Sequence, residues 1–158
     1  MSPEAAFGFV QLLPLPLWFV WVLLPRSRAA RYLARADWPW GVLALAYLIC
    51  FVTAIATGGR IGADSFGSLS GMMALFDSPW GALTAWVHYL CFDTLVGRWM
   101  LNQVPDAGYR LSPILVATMM FGPIGLLAFL VTRRWLTSSP GRGYGRSSPS
   151  ASQVDIQA

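Results

Sequence analysis

The chain has 158 residues, 56% of them apolar and only 11% charged, which leaves room for one compact unit and too little charge for a surface solvated by water. The net charge of +4 comes from eleven arginines without a single lysine, and most of these flank apolar segments as membrane-interface residues do, which argues against a nucleic-acid partner. Cys50 and Cys91 both lie inside apolar runs, with neither the spacing of a metal site nor that of a disulfide framework.

A hydrocarbon core of about 30 Å takes about 20 helical residues to cross. Four runs meet that length: 7–24, 38–57, 80–101 and 111–132. The expected fold is therefore all-α, a polytopic four-transmembrane-helix bundle over 1–136 followed by a disordered tail over 137–158, where Ser, Gly and Pro dominate. The first run begins with Glu4 rather than a basic region and lacks a small-residue cleavage pattern, so it reads as a retained span. Pro14 and Pro16 kink it and free the carbonyls of Val10 and Leu12. The second run has no charge between Trp38 and Gly59, with Trp38 and Trp40 as interfacial anchors.

Between the second and third runs, residues 58–79 contain an apolar stretch, 65–76, that is too short to span. It reads as a short interfacial or re-entrant segment carrying a Gly67-x-x-x-Gly71 pair, with a flexible loop as the alternative. Orientation conflicts with itself. Arg26, Arg28, Arg31 and Arg35 follow the first run and favour a cytoplasmic loop there with the N-terminus outside, whereas Arg133, Arg134, Arg142 and Arg146 fall on the opposite side against the same rule, which leaves the orientation undecided with a lean to N-outside.

The third run holds the only histidine, His88, and an aspartate, Asp93. Both lie about 4 Å from the midpoint of a helix over 80–101, while Arg98 lies about 11 Å away and can snorkel. Ionisable groups at mid-depth cost about 2.5 to 3.5 kcal/mol on insertion scales and usually face the bundle interior, which makes His88 and Asp93 the candidate catalytic pair. Five residues of helix turn them about 140° apart, so each should meet a partner from elsewhere. Their alternative role is structural, as interhelical hydrogen-bonding groups, and Arg98 beside Trp99 has the same alternative as an interfacial anchor. In the fourth run Pro123 leaves the Met119 carbonyl without a donor, which predicts a kink opening a pocket toward His88 or Asp93.

The stretch Trp86-Val87-His88-Tyr89-Leu90-Cys91-Phe92-Asp93-Thr94-Leu95-Val96-Gly97-Arg98-Trp99, with Phe121-Gly122-Pro123-Ile124-Gly125-Leu126-Leu127 and Phe66-Gly67-Ser68-Leu69, resembles the abscisic-acid-deficient-four-like family. Departures are mild: Cys91 stands where the family often has alanine and Ala85 where glycine is common. The resemblance implies an integral membrane protein of carotenoid and xanthophyll metabolism, in plants associated with neoxanthin synthesis, acting as a cofactor-independent isomerase that opens an epoxide into an allene. Such a step needs an acid at the epoxide oxygen and a base at a polyene carbon. Asp93 is the expected acid and His88 the expected base, with Trp86, Tyr89, Arg98, Trp99 and Pro123 as substrate-binding residues and no metal or cofactor. The implied partner is an apolar pigment or isoprenoid lipid, with a homo-oligomer or a carotenoid-pathway enzyme as protein partner. Without a Ser- and Arg-rich transit extension, the expected location is a bacterial inner membrane. Two other classes stay open: a non-catalytic pigment- or lipid-binding assembly protein, and a small transporter.

Overall fold

The computed structural model describes residues 1–58 and 64–137, and within them every regular element is helical. Helices α1 (Pro3–Leu12) and α2 (Leu15–Leu23) form the first run. The break between them falls at the predicted prolines, and the Val10 carbonyl accepts a hydrogen bond from the Leu13 N–H at 3.2 Å. A short amphipathic helix, α3 (Arg28–Arg35), follows, capped at its start by the Ser27 hydroxyl, which accepts from the Ala30 N–H at 3.0 Å. Then come α4 (Trp38–Ala56), α5 (Asp64–Gly67), α6 (Leu69–Phe76), α7 (Pro79–Gln103), α8 (Ser112–Phe121) and α9 (Pro123–Thr137). The expected segment between the second and third runs is thus two short helices, and residues 59–63 of it lie outside the described residues. The expected disordered tail falls on 138–158, also outside them, apart from Thr137, which closes α9.

Helix α7 is the axis. Phe7 and Trp18 meet it at Trp86 and Gly97, so α1 and α2 run parallel to it, while Trp40 and Tyr47 meet Arg98 and His88, so α4 runs antiparallel. At one end Ala6, Val10, Cys50, Leu83 and Val87 form a small core between α1, α4 and α7. At the other end Trp18, Trp21, Met100, Leu111, Leu115 and Phe129 form a larger one.

On length and composition, two segments are apolar enough to cross a membrane, Pro3–Leu23 with 21 residues and Trp38–Ala56 with 19. Helix α4 leaves Leu45, Leu48, Ile49 and Val52 each more than half exposed, an apolar face too continuous for contact with water.

The fourth run departs most from expectation, because 111–132 is a helical hairpin and not a single kinked helix. The guanidinium of Arg110, just before α8, donates to the carbonyls of Trp135 and Leu136, near the end of α9, at 3.3 and 3.0 Å. A continuous helix would hold these positions about 39 Å apart. The reversal occurs at Gly122, whose φ of +34° is a conformation that side chains with a Cβ rarely adopt, and Pro123 starts α9 at a position needing no N–H donor. Gly125 lets the arms close, since a Cβ there would collide with the backbone of Thr118. With lengths of about 15 and 22 Å, neither arm crosses about 30 Å of hydrocarbon alone.

Candidate functional site

Helices α4, α6 and α7 border a half-open cavity of about 670 Å³. Its walls are Tyr47 and Phe51 from α4, Met72 and Phe76 from α6, and His88 and Tyr89 from α7, with Asp77 and Ser78 where α6 hands over to α7. The space exists because α6 covers the start of α7 without burying any of its own residues. The aliphatic hydroxyls of Ser78 and Thr84 in the wall bond to backbone: Ser78 accepts from the Gly81 N–H at 3.0 Å, and Thr84 donates to the Trp80 carbonyl at 2.7 Å. His88 lies beside two aromatic rings, with centroids 5.8 Å from Tyr47 and 4.5 Å from Phe92, and has no hydrogen-bond partner among the described residues. Sequence reasoning expected it to face the bundle interior. It faces outward into the cavity instead, because the second run packs antiparallel beside it and α6 closes only one side.

Asp93 sits elsewhere on α7, as the helical rotation required. Its carboxylate presses against the hairpin tip, where a Cβ on Gly122 would overlap Oδ1 and lie 3.0 Å from Cγ. The Oδ2 atom is buried without a hydrogen-bond partner. The break at Pro123 therefore meets Asp93 and not His88, and the carboxylate fills the space where a pocket was expected. Tyr89, one turn before Asp93, shares its side of α7, and it also lines the cavity. It stands between the cavity and Asp93.

The remaining expected substrate residues are dispersed. Trp86 turns to α1, donating to Gln11 Oε1 at 2.7 Å and stacking on Tyr89 with centroids 5.6 Å apart. Trp99 packs edge-on against Phe129 of α9 at 5.3 Å. Pro123 opens α9 at the hairpin tip, exposed. Arg98 is committed to the end of α3. It donates through Nε to the Ala34 carbonyl at 3.0 Å and through Nη2 to the Arg35 carbonyl at 3.2 Å, pairs with Asp37 at 2.8 Å, and lies over the Trp40 ring at 4.4 Å. These bonds neutralise carbonyls left open at a helix C-terminus, a structural duty that matches the anchoring alternative.

A family profile described as ABA DEFICIENT 4-like matches residues 5–129. The chain belongs to this family. That span runs from within α1 to the middle of α9 and includes the cavity, Asp93 and the hairpin tip. No curated protein and no solved structure matches the chain.

Sequence reasoning missed Tyr47 and Gly122. Tyr47 is the only phenol in an otherwise apolar second run, a signal available from composition. Gly122 was visible only as the residue before a proline, and its contact with Asp93 depends on the chain reversal, which apolar length alone conceals.

Proposed function

We propose that the protein is an integral membrane protein of carotenoid metabolism that admits the end of an apolar polyene into the α4–α6–α7 cavity and isomerises it there. The observation that carries this reading is the cavity itself: it is apolar through most of its wall yet presents an unbonded imidazole beside two phenols, the pattern of a site that binds by area and acts through a few polar groups. Family membership supports the carotenoid pathway, and the apolar outer face of α4 supports a membrane setting. In that setting α1–α2, α4 and α7 cross, while the α8–α9 hairpin enters only to the depth of Asp93.

The chemistry is a net-neutral isomerisation. A base removes a proton from the polyene carbon, the carbon–oxygen bond of the epoxide breaks, and an acid delivers a proton to the departing oxygen. His88 serves as the base. Tyr89 stands nearer than Asp93 to any occupant of the cavity, so it delivers the proton, with Asp93 behind it as a positioning residue that orients the phenol.

The test is chromatography of membrane pigments from a carotenoid-producing host expressing wild type, His88→Ala, Tyr89→Phe or Asp93→Asn. The expected result is a new pigment with wild type, its loss with His88→Ala, and at least about a tenfold reduction with each of the other two. Identical pigment profiles with and without the wild-type gene would refute the reading. The separation of His88 from Asp93 favours a second one, a non-catalytic pigment- or lipid-binding protein, for which the purified protein would retain a chromophore and leave it chemically unchanged.

A further inference from the structure

The hairpin changes where the charges lie. Because α8 and α9 reverse at Gly122, the end of α9 returns to the end of the bundle that carries α3. Arg26, Arg28, Arg31 and Arg35 around α3 are joined there by Arg110 and Arg133, all six exposed. Among the described residues two acidic ones share this end, Asp37 and Asp106, and Asp37 is paired with Arg98. The opposite end, where α1 starts and α6 meets α7, carries Glu4 and Asp77 and no arginine among the described residues. Arg60, in the connection after α4, lies outside those residues and leaves the bias in place.

Helix α3 is built to hold its charges at a surface. Ala30 and Ala34 are buried against the bundle, while Arg28, Arg31, Tyr32 and Arg35 point away from it. Arg98 and Asn102 of α7 pin its last turn, each donating to the Ala34 carbonyl at 3.0 Å. An amphipathic helix fixed at the mouth of a bundle, with arginine outward and a tyrosine beside it, matches the headgroup zone of a bilayer.

We infer that this arginine-bearing end binds the headgroups of anionic phospholipids in the cytoplasmic leaflet, with three crossings placing the N-terminus outside and Thr137 inside. The inference rests on the membrane reading above. It removes the conflict between the two arginine groups, which arises only if the fourth run crosses. The far end, without arginine among the described residues, fits the outer leaflet. Guanidinium groups suit this occupant because their planar donors pair with phosphate oxygens in bidentate fashion.

The experiment uses the full chain in a bacterial plasma membrane. Cysteine replaces Glu4, Asp106 and Thr137 in turn, and wild type labelled in parallel gives the background from Cys50, which is buried, and Cys91, which is half-buried. A membrane-impermeant maleimide should label Glu4→Cys in intact cells, but Asp106→Cys and Thr137→Cys only after permeabilisation. Labelling of Glu4→Cys and Thr137→Cys from the same side would mean an even number of crossings and overturn the inference, as would the reversed pattern. For the lipid contact, purified protein goes into nanodiscs of phosphatidylglycerol or phosphatidylcholine. The thermal midpoint should be higher in phosphatidylglycerol, and Arg28→Gln/Arg31→Gln should at least halve the difference. Equal midpoints for wild type in both lipids would overturn the headgroup contact. Alkaline carbonate extraction separates the failures, since a protein released from the membrane by that wash would refute the membrane reading itself.

Discussion

Helix α4 and the α8–α9 hairpin begin as similar sequence, apolar runs of about 20 residues without internal charge, yet one is a single 19-residue helix and the other folds back on itself. The difference lies in two glycines and a proline. Helix α4 has its proline at the first turn, where the missing N–H costs nothing, and its Gly41 has open space around it. In the fourth run the proline falls in the middle, Gly122 before it takes a positive φ, and Gly125 after it gives the returning arm a surface without a side chain. Apolar length measures how well a segment tolerates lipid. Whether the segment crosses depends on backbone conformations that a few residues permit.

The sharpest way to break this contrast is Gly125→Leu. A side chain there meets the Thr118 backbone, which cannot move aside as a flexible side chain would, so the hairpin arms cannot close. The expected loss exceeds the roughly 1 to 3 kcal/mol typical of overpacking, seen as little or no monodisperse protein in detergent. The same substitution at Gly41 of α4 should leave yield and thermal midpoint near wild type. A well-folded Gly125→Leu protein would show that the two arms do not touch.

Gly122→Ala should cost somewhat less, about 1 to 3 kcal/mol, from its strained φ and from collision with the Asp93 carboxylate. Pairing it with Asp93→Ala separates the two contributions. In a double-mutant cycle on thermal or denaturant unfolding, the collision should vanish while the backbone strain persists, leaving a coupling energy above about 0.5 kcal/mol. Strict additivity would mean that Asp93 does not pack on the hairpin tip.

The smallest of the three effects is expected at Arg98. Removing its bonds to the Ala34 and Arg35 carbonyls with Arg98→Ala should destabilise the protein by about 1 to 2 kcal/mol. Hydrogen exchange should quicken in α3 and stay unchanged at the cavity. The exposed ion pair with Asp37 adds little, so Asp37→Ala should shift the midpoint only slightly. Lysine at position 98 should recover only part of the loss, because one ammonium cannot span both carbonyls and stack on Trp40 as the guanidinium does.

Much of the site was legible because ionisable residues in an apolar run stand out against it. His88 and Asp93 were singled out by type and position, and the angle between them followed from helical rotation alone. The partners were not legible. That Tyr89 lies beside Asp93 is encoded in their i, i+4 spacing, but that Tyr89 lines a cavity, that Asp93 meets Gly122 and that Arg98 serves α3 depend on which helices pack beside α7.

Composition and periodicity by themselves determined that the described chain is helical, that its surface is too apolar for water and that His88 and Asp93 sit mid-way along one apolar helix, because each of these follows from local preference and transfer free energy. Tertiary structure alone decided the reversal at Gly122, the gathering of arginines at one end and the cavity beneath α6. Those features arise from contacts between residues far apart in the chain, such as Arg110 with Leu136 and Asp93 with Gly122, whose energies no single segment contains.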